Sequence, residues 1–153
     1  MPAKAPQPPP GLQDADDQTR IVIASTPLAV REALRTLFAS GPLRVLSDAN
    51  RSSAEIVIAE ALNNIVEHAY ARETGEIELT LTYTPSGLYC QIEDHGTVMP
   101  GNCLPAGAPN DLKAHNDLPE GGFGWYLIRT LSNDLEYWRI DGRNHLRFRL
   151  NTQ

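Results

Sequence analysis

The sequence predicts a two-layer α/β sandwich, a mostly antiparallel mixed sheet with helices on one face and a long loop closing it. Three observations predict it. Apolar and polar residues alternate with period two over 76–83 and 145–150, as in strands buried on one face only. Val57, Ile58, Ala61, Leu62, Ile65, Val66 and Ala69 form a helical stripe wide enough to lie on a sheet. Residues 97–120 hold Pro100, Gly101, Pro105, Gly107, Pro109 and Pro119 with little apolar periodicity, a connection of the length used for lids and binding loops.

Residues 1–18 carry five of the twelve prolines, followed by Gln13, Asp14, Asp16 and Asp17. They offer almost nothing to bury and read as a disordered tail, leaving residues 19–153 as a single domain. Arg20-Ile21-Val22-Ile23-Ala24 is a short β-branched strand. Ser25-Thr26-Pro27 then provides a cap and a proline for the first helical turn, and Gly41-Pro42 stops that helix after Phe38. Asn50, Ser52 or Ser53 caps the second helix, with Glu55 near the positive end of its dipole. Beyond Gly75, Ile77, Leu79, Leu81 and Tyr83 face a core; Pro85-Ser86-Gly87 turns the chain, and Leu88, Cys90 and Ile92 return as the second arm of a hairpin. Gly121-Gly122-Phe123-Gly124 opens a further helix over residues 125–131. Two last strands follow, joined by a turn at Asp141-Gly142-Arg143-Asn144.

Thirteen Lys and Arg against nineteen Asp and Glu leave a net charge of −6. That balance excludes a partner held mainly through phosphate-backbone charge, such as bulk DNA or an anionic membrane surface. No apolar run reaches the roughly 18 residues of a membrane helix, and the first residues have no apolar signal segment. Two cysteines make no disulfide framework. Together these predict a cytoplasmic protein. Cys90, His95, Cys103 and His115 lack metal-site spacing, and Cys90 shares the apolar parity of its strand, so it reads as core. There is no G-x-S-x-G elbow of a serine hydrolase.

Three segments could carry chemistry. Glu60, Asn64 and His68, four apart, share one helix face, where a carboxylate can act as a general base and an amide oxygen can ligate Mg²⁺. A solvated polar face has the same pattern. Yet Asn63-Asn64 inside a helix costs about 0.7 kcal/mol per residue relative to alanine and asks for a reason. Asp94-His95-Gly96, at a strand end, places a carboxylate where it can accept from an exocyclic amine, and is equally the pattern of an Asx turn. Gly121, Gly122 and Gly124 allow close backbone approach at a helix N-terminus, whose amides favour an anion; a plain hinge would look the same.

Their order and spacing narrow the reading. Glu60-Ala61-Leu62-Asn63-Asn64-Ile65-Val66-Glu67-His68-Ala69-Tyr70 resembles the N box of the GHKL (histidine-kinase-like) ATPase superfamily. Asp94-His95-Gly96 resembles its first glycine box, and Gly121-Gly122-Phe123-Gly124-Trp125-Tyr126-Leu127-Ile128 its second. Within the superfamily the wording is similar to that of the anti-sigma-factor serine/threonine kinases of bacterial partner-switching systems, over about residues 20–150. The resemblance implies a Bergerat sandwich with an ATP lid, and ATP and Mg²⁺ as cofactors. It implies that Glu60 is the general base, that Asn64 ligates Mg²⁺, and that Asp94 reads the adenine amine. Gly96 would let the base approach, and Gly121, Gly122 and Gly124 would line the phosphates. It assigns His68 no chemistry; a packed or hydrogen-bonding histidine is expected there. The implied function is phosphorylation of an anti-sigma-factor antagonist and sequestration of a sigma factor. A homodimer through the first strand and helix also fits the resemblance. The alternative is a nucleotide-dependent regulatory module that acts by docking alone.

Overall fold

A computed structural model describes residues 4–70, 74–105 and 122–153. The five strands are β1 (Gln18–Ala24), β2 (Glu76–Thr84), β3 (Gly87–Asp94), β4 (Asn133–Ile140) and β5 (Arg143–Leu150), in the spatial order β1-β2-β3-β5-β4. All four neighbouring pairs are antiparallel. Among the described residues three α-helices, α1 (Pro27–Ala39), α2 (Asp48–Asn64) and α3 (Gly122–Leu131), complete the sandwich. The period-two pattern does what it predicts. Ile77, Leu79 and Leu81 of β2, Leu88, Cys90 and Ile92 of β3, and Leu146, Phe148 and Leu150 of β5 join Val57, Ile58, Ala61 and Leu62 of α2 in one core with Ile128 of α3. Burial pushes the Cys90 thiol pKa up, as its core assignment requires.

Local chemistry explains the element ends. Thr26 caps α1, its hydroxyl accepting from the Ala29 N–H at 3.1 Å. The cap of α2 differs from the expectation. Ser47, not Asn50, Ser52 or Ser53, accepts from the Asn50 N–H at 3.3 Å, while the Ser52 hydroxyl donates back to the Asp48 carbonyl inside the first turns. Several cap-competent residues stand in this polar run, and the helix starts at the first of them after the short 3₁₀ turn Pro42–Val45. The β4–β5 turn is tighter than expected. Asp141 and Gly142 take positive φ (52° and 76°), a two-residue hairpin turn, so Arg143 and Asn144 belong to β5.

Residues 4–17, expected as a disordered tail, contain no helix or strand, yet Leu12 is buried without belonging to the main core. The Arg147 guanidinium, buried on the sheet face that the helices do not cover, donates to the Gln7 carbonyl at 3.2 Å.

Candidate active site

After Asn64 the helical ladder widens. Residues Ile65–Ala69 form a π-helical turn, closed by the Tyr70 N–H on the Ile65 carbonyl at 3.0 Å. The asparagine pair that fits poorly in a regular helix therefore sits where the regular helix ends. Such turns interrupt the four-residue spacing, and the extra residue carries His68 away from Glu60 and Asn64. His68 is exposed, its nearest acidic partner being Glu67 at 3.9 Å, so it is neither packed nor part of the cluster.

Glu60 and Asn64 remain together beneath the N-terminus of α3. A Cβ built on Gly124 would stand 2.6 Å from Glu60 Oε2 and 3.6 Å from Asn64 Nδ2, so glycine lets α3 come this close with the Glu60 carboxylate left in place. Asn64 is 6% exposed, and its Nδ2 is the one buried side-chain polar atom among the described residues without a hydrogen bond. An unpaired buried amide costs about 1–3 kcal/mol and is rare in folded proteins. The two ends of the amide exchange by a half turn, so the orphan marks a place for either a donor or an acceptor. An amide oxygen, a nearby carboxylate and a glycine-lined approach form a donor set that a hard, oxygen-preferring divalent cation fits. Gly122 opens α3, and Gly121 lies outside the described residues, as do residues 106–120 of the expected lid.

The end of β3 is built differently. Asp94 is 3% exposed, and its Oδ1 accepts from the Gly96 N–H at 2.8 Å, which is the Asx turn, and from Asn144 Nδ2 at 2.9 Å. Burial raises the carboxyl pKa above the usual carboxylate value, against the lowering by the Asn144 and Gly96 hydrogen bonds and the Arg139 charge. The loop after Asp94 is tied to the end of α2. The His95 N–H donates to the Tyr70 hydroxyl at 2.7 Å and the Thr97 N–H to the Ala69 carbonyl at 2.8 Å. A Cβ on Gly96 would collide with that carbonyl and with the Ala69 side chain. Gly96 is thus required by the docking of the π-helical turn itself. The sequence marks Ala69 only as the end of the apolar stripe and gives Tyr70 no role, although both close the N-box wording. Asn144, Tyr137 and Arg139 were missed as well. The first was assigned to the turn, and only strand register, which pairs Asn144 with both Asp94 and Arg139, exposes it.

The model of the histidine kinase-like ATPase domain matches residues 23–150. The chain belongs to this family. As a histidine kinase-like ATPase domain it is also similar to proteins named serine-protein kinase RsbW. Those of Bacillus cereus (strain AH820) and Bacillus anthracis are each 37% identical over 90 residues, covering 58% of this chain and 56% of theirs. The same figures hold for the protein of Bacillus thuringiensis (strain Al Hakam). The chain thus aligns with little more than half the length of these relatives. Cys90 and Cys103 are unpaired, the latter exposed. Among the described residues no helix is long and apolar enough to cross a membrane, and no group of three or more His, Cys, Asp or Glu side chains is arranged to hold a metal ion.

Proposed function

We propose that this domain is a protein serine/threonine kinase. It binds Mg·ATP, phosphorylates a serine or threonine of an anti-sigma-factor antagonist, and sequesters a sigma factor when that antagonist is absent. The observation that carries the reading is the meeting of Glu60 and the unsatisfied Asn64 amide under Gly124, within a histidine kinase-like ATPase domain that resembles serine-protein kinases.

The residues divide the work. Asn64 would hold Mg²⁺ through its amide oxygen, and the ion would supply charge neutralisation for phosphoryl transfer. Glu60 makes no hydrogen bond or ion pair among the described residues, so its carboxylate is available to take the proton of a substrate hydroxyl. The amides at the N-terminus of α3, with Gly122 and Gly124, would face the phosphates, the role proposed for Gly121 as well. Asp94 reads the adenine amine through Oδ2, the oxygen left without a partner among the described residues. Glu60→Gln is expected to abolish phosphoryl transfer to the antagonist while leaving nucleotide affinity close to wild type, read by radiolabel transfer and by calorimetric titration. Full-rate transfer by this variant would remove Glu60 as the base. Absence of transfer by the wild-type protein with intact nucleotide binding would favour the module that acts by docking alone.

A further inference from the structure

The Asp94 carboxylate is held by more than its own turn. Asn144 is 5% exposed, and each end of its side-chain amide meets groups of one hydrogen-bonding character. Its Oδ1 accepts from Arg139 Nη1 at 2.8 Å and from the Tyr137 hydroxyl at 2.6 Å. The guanidinium can only donate. The Tyr137 hydroxyl donates to this oxygen while itself accepting the Met99 N–H at 3.1 Å. At the other end, Nδ2 donates to Asp94 Oδ1 and to the Thr97 carbonyl, both at 2.9 Å. A half turn of the amide would set NH₂ against a guanidinium and oxygen against a carboxylate. The orientation is therefore dictated by Tyr137 and Arg139, two residues of the edge strand β4. Arg139 Nη1 also donates to the Gly96 carbonyl at 3.0 Å, so one side chain fixes both the amide and the loop.

This has a consequence for which base the site accepts. A carboxylate with both oxygens free can take the paired ring N–H and amine donors of guanine in a bidentate contact. One oxygen of Asp94 is already saturated by Gly96 and Asn144, and the other offers a single acceptor, which suits the single exocyclic amine of adenine. We infer that Asn144, oriented by Tyr137 and Arg139, is a specificity-determining positioning residue that makes Asp94 a one-oxygen reader and so selects adenine over guanine nucleotides. The inference rests on Asp94 being the base reader of the proposed kinase.

The test measures dissociation constants of the full chain for Mg·ATP and Mg·GTP by calorimetric titration, beside the thermal midpoint of each variant. Asn144→Ala leaves Oδ1 with the Gly96 N–H alone, opening a second acceptor position on the carboxylate, and is expected to lower the ATP-over-GTP preference roughly tenfold, through tighter GTP as well as weaker ATP. Tyr137→Phe keeps the ring packing, loosens the amide, and should lower the preference by a smaller factor. A general loss of order would weaken both nucleotides together and leave the ratio unmoved. An unchanged ratio in both variants, with Asp94→Ala still losing ATP affinity, overturns the positioning role and spares the base reader. Wild-type ATP affinity in Asp94→Ala would instead remove the base reader, and the inference with it.

Discussion

Two buried asparagines stand at the two ends of the candidate site, and they are opposites. Asn144 and Asn64 are almost equally enclosed, at 5% and 6% exposure. The first has a partner for both ends of its amide, drawn from β3, β4 and the loop after Asp94. The second has an amide nitrogen with none among the described residues. A folded chain rarely leaves such a group unmet, because it loses its water without gaining a partner. The difference separates a residue that completes the protein from one that the protein leaves incomplete. Between them lies the π-helical turn, which begins after Asn64 and ends on Ala69, where Thr97 and Gly96 dock. The two ends are therefore mechanically joined, one preset and one waiting.

The same replacement at each asparagine breaks or sharpens this contrast. Asn144→Leu would leave the Asp94 carboxylate, the Arg139 guanidinium, the Tyr137 hydroxyl and the Thr97 carbonyl short of a partner. Asp94, Arg139 and Tyr137 each keep another partner, so the low end of the usual cost of about 1–3 kcal/mol per group applies, and a total loss of about 4 kcal/mol is expected. In a domain of this size that lowers the thermal midpoint by about 10 °C in calorimetry. Asn64→Leu should act the other way on the nucleotide-free protein, leaving the midpoint unchanged or higher because an unpaired amide is removed. Its effect appears with ligand. Mg·ATP at about 100 times its dissociation constant stabilises the wild type by roughly 2.7 kcal/mol, and this increment should vanish in the variant. If Asn64→Leu unfolded the free protein as readily as Asn144→Leu, the two asparagines would both be structural and the contrast would fail.

The fold was largely legible because one-sided strands and the α2 stripe leave strong periodic signals: most residues expected to be buried in β2, β3 and α2 are the core, while Tyr83, Ile65 and Val66 only pack against it and Ala69 stands outside it. Element ends were less so. The α2 cap was expected at Asn50, Ser52 or Ser53 and lies at Ser47, since the choice depends on where the preceding 3₁₀ turn delivers the chain. Of the site, Glu60, Asn64 and Asp94 were visible as chemistry-bearing residues at telling positions. His68 was grouped with the first two by a spacing that holds only for a regular helix, and the π-helical turn cancels it. Asn144, Tyr137 and Arg139 left no local signal. Their roles arise from strand pairing across 50 residues in the case of Asn144 and Asp94, which no short motif encodes.

The smallest effect on stability comes from Gly124→Ala, and it discriminates well for that reason. Gly124 lies within α3 and its φ is not in the left-handed region, so alanine suits the backbone and should add about 0.5–1 kcal/mol as a better helix former. The new methyl would stand 2.6 Å from Glu60 Oε2, which must swing aside. That movement is inexpensive, because the carboxylate is the free end of a flexible side chain. The nucleotide-free protein should therefore melt at the wild-type temperature or slightly above, while phosphoryl transfer falls because the proposed base has lost its place. Gly96→Ala is the control, since there the added methyl meets the Ala69 backbone, which cannot swing, and the fold itself should weaken. Wild-type transfer by Gly124→Ala would mean that the position of Glu60 under α3 is packing alone. A fall in transfer without a fall in melting temperature would show that glycine is kept at 124 for the site and against the preference of the helix.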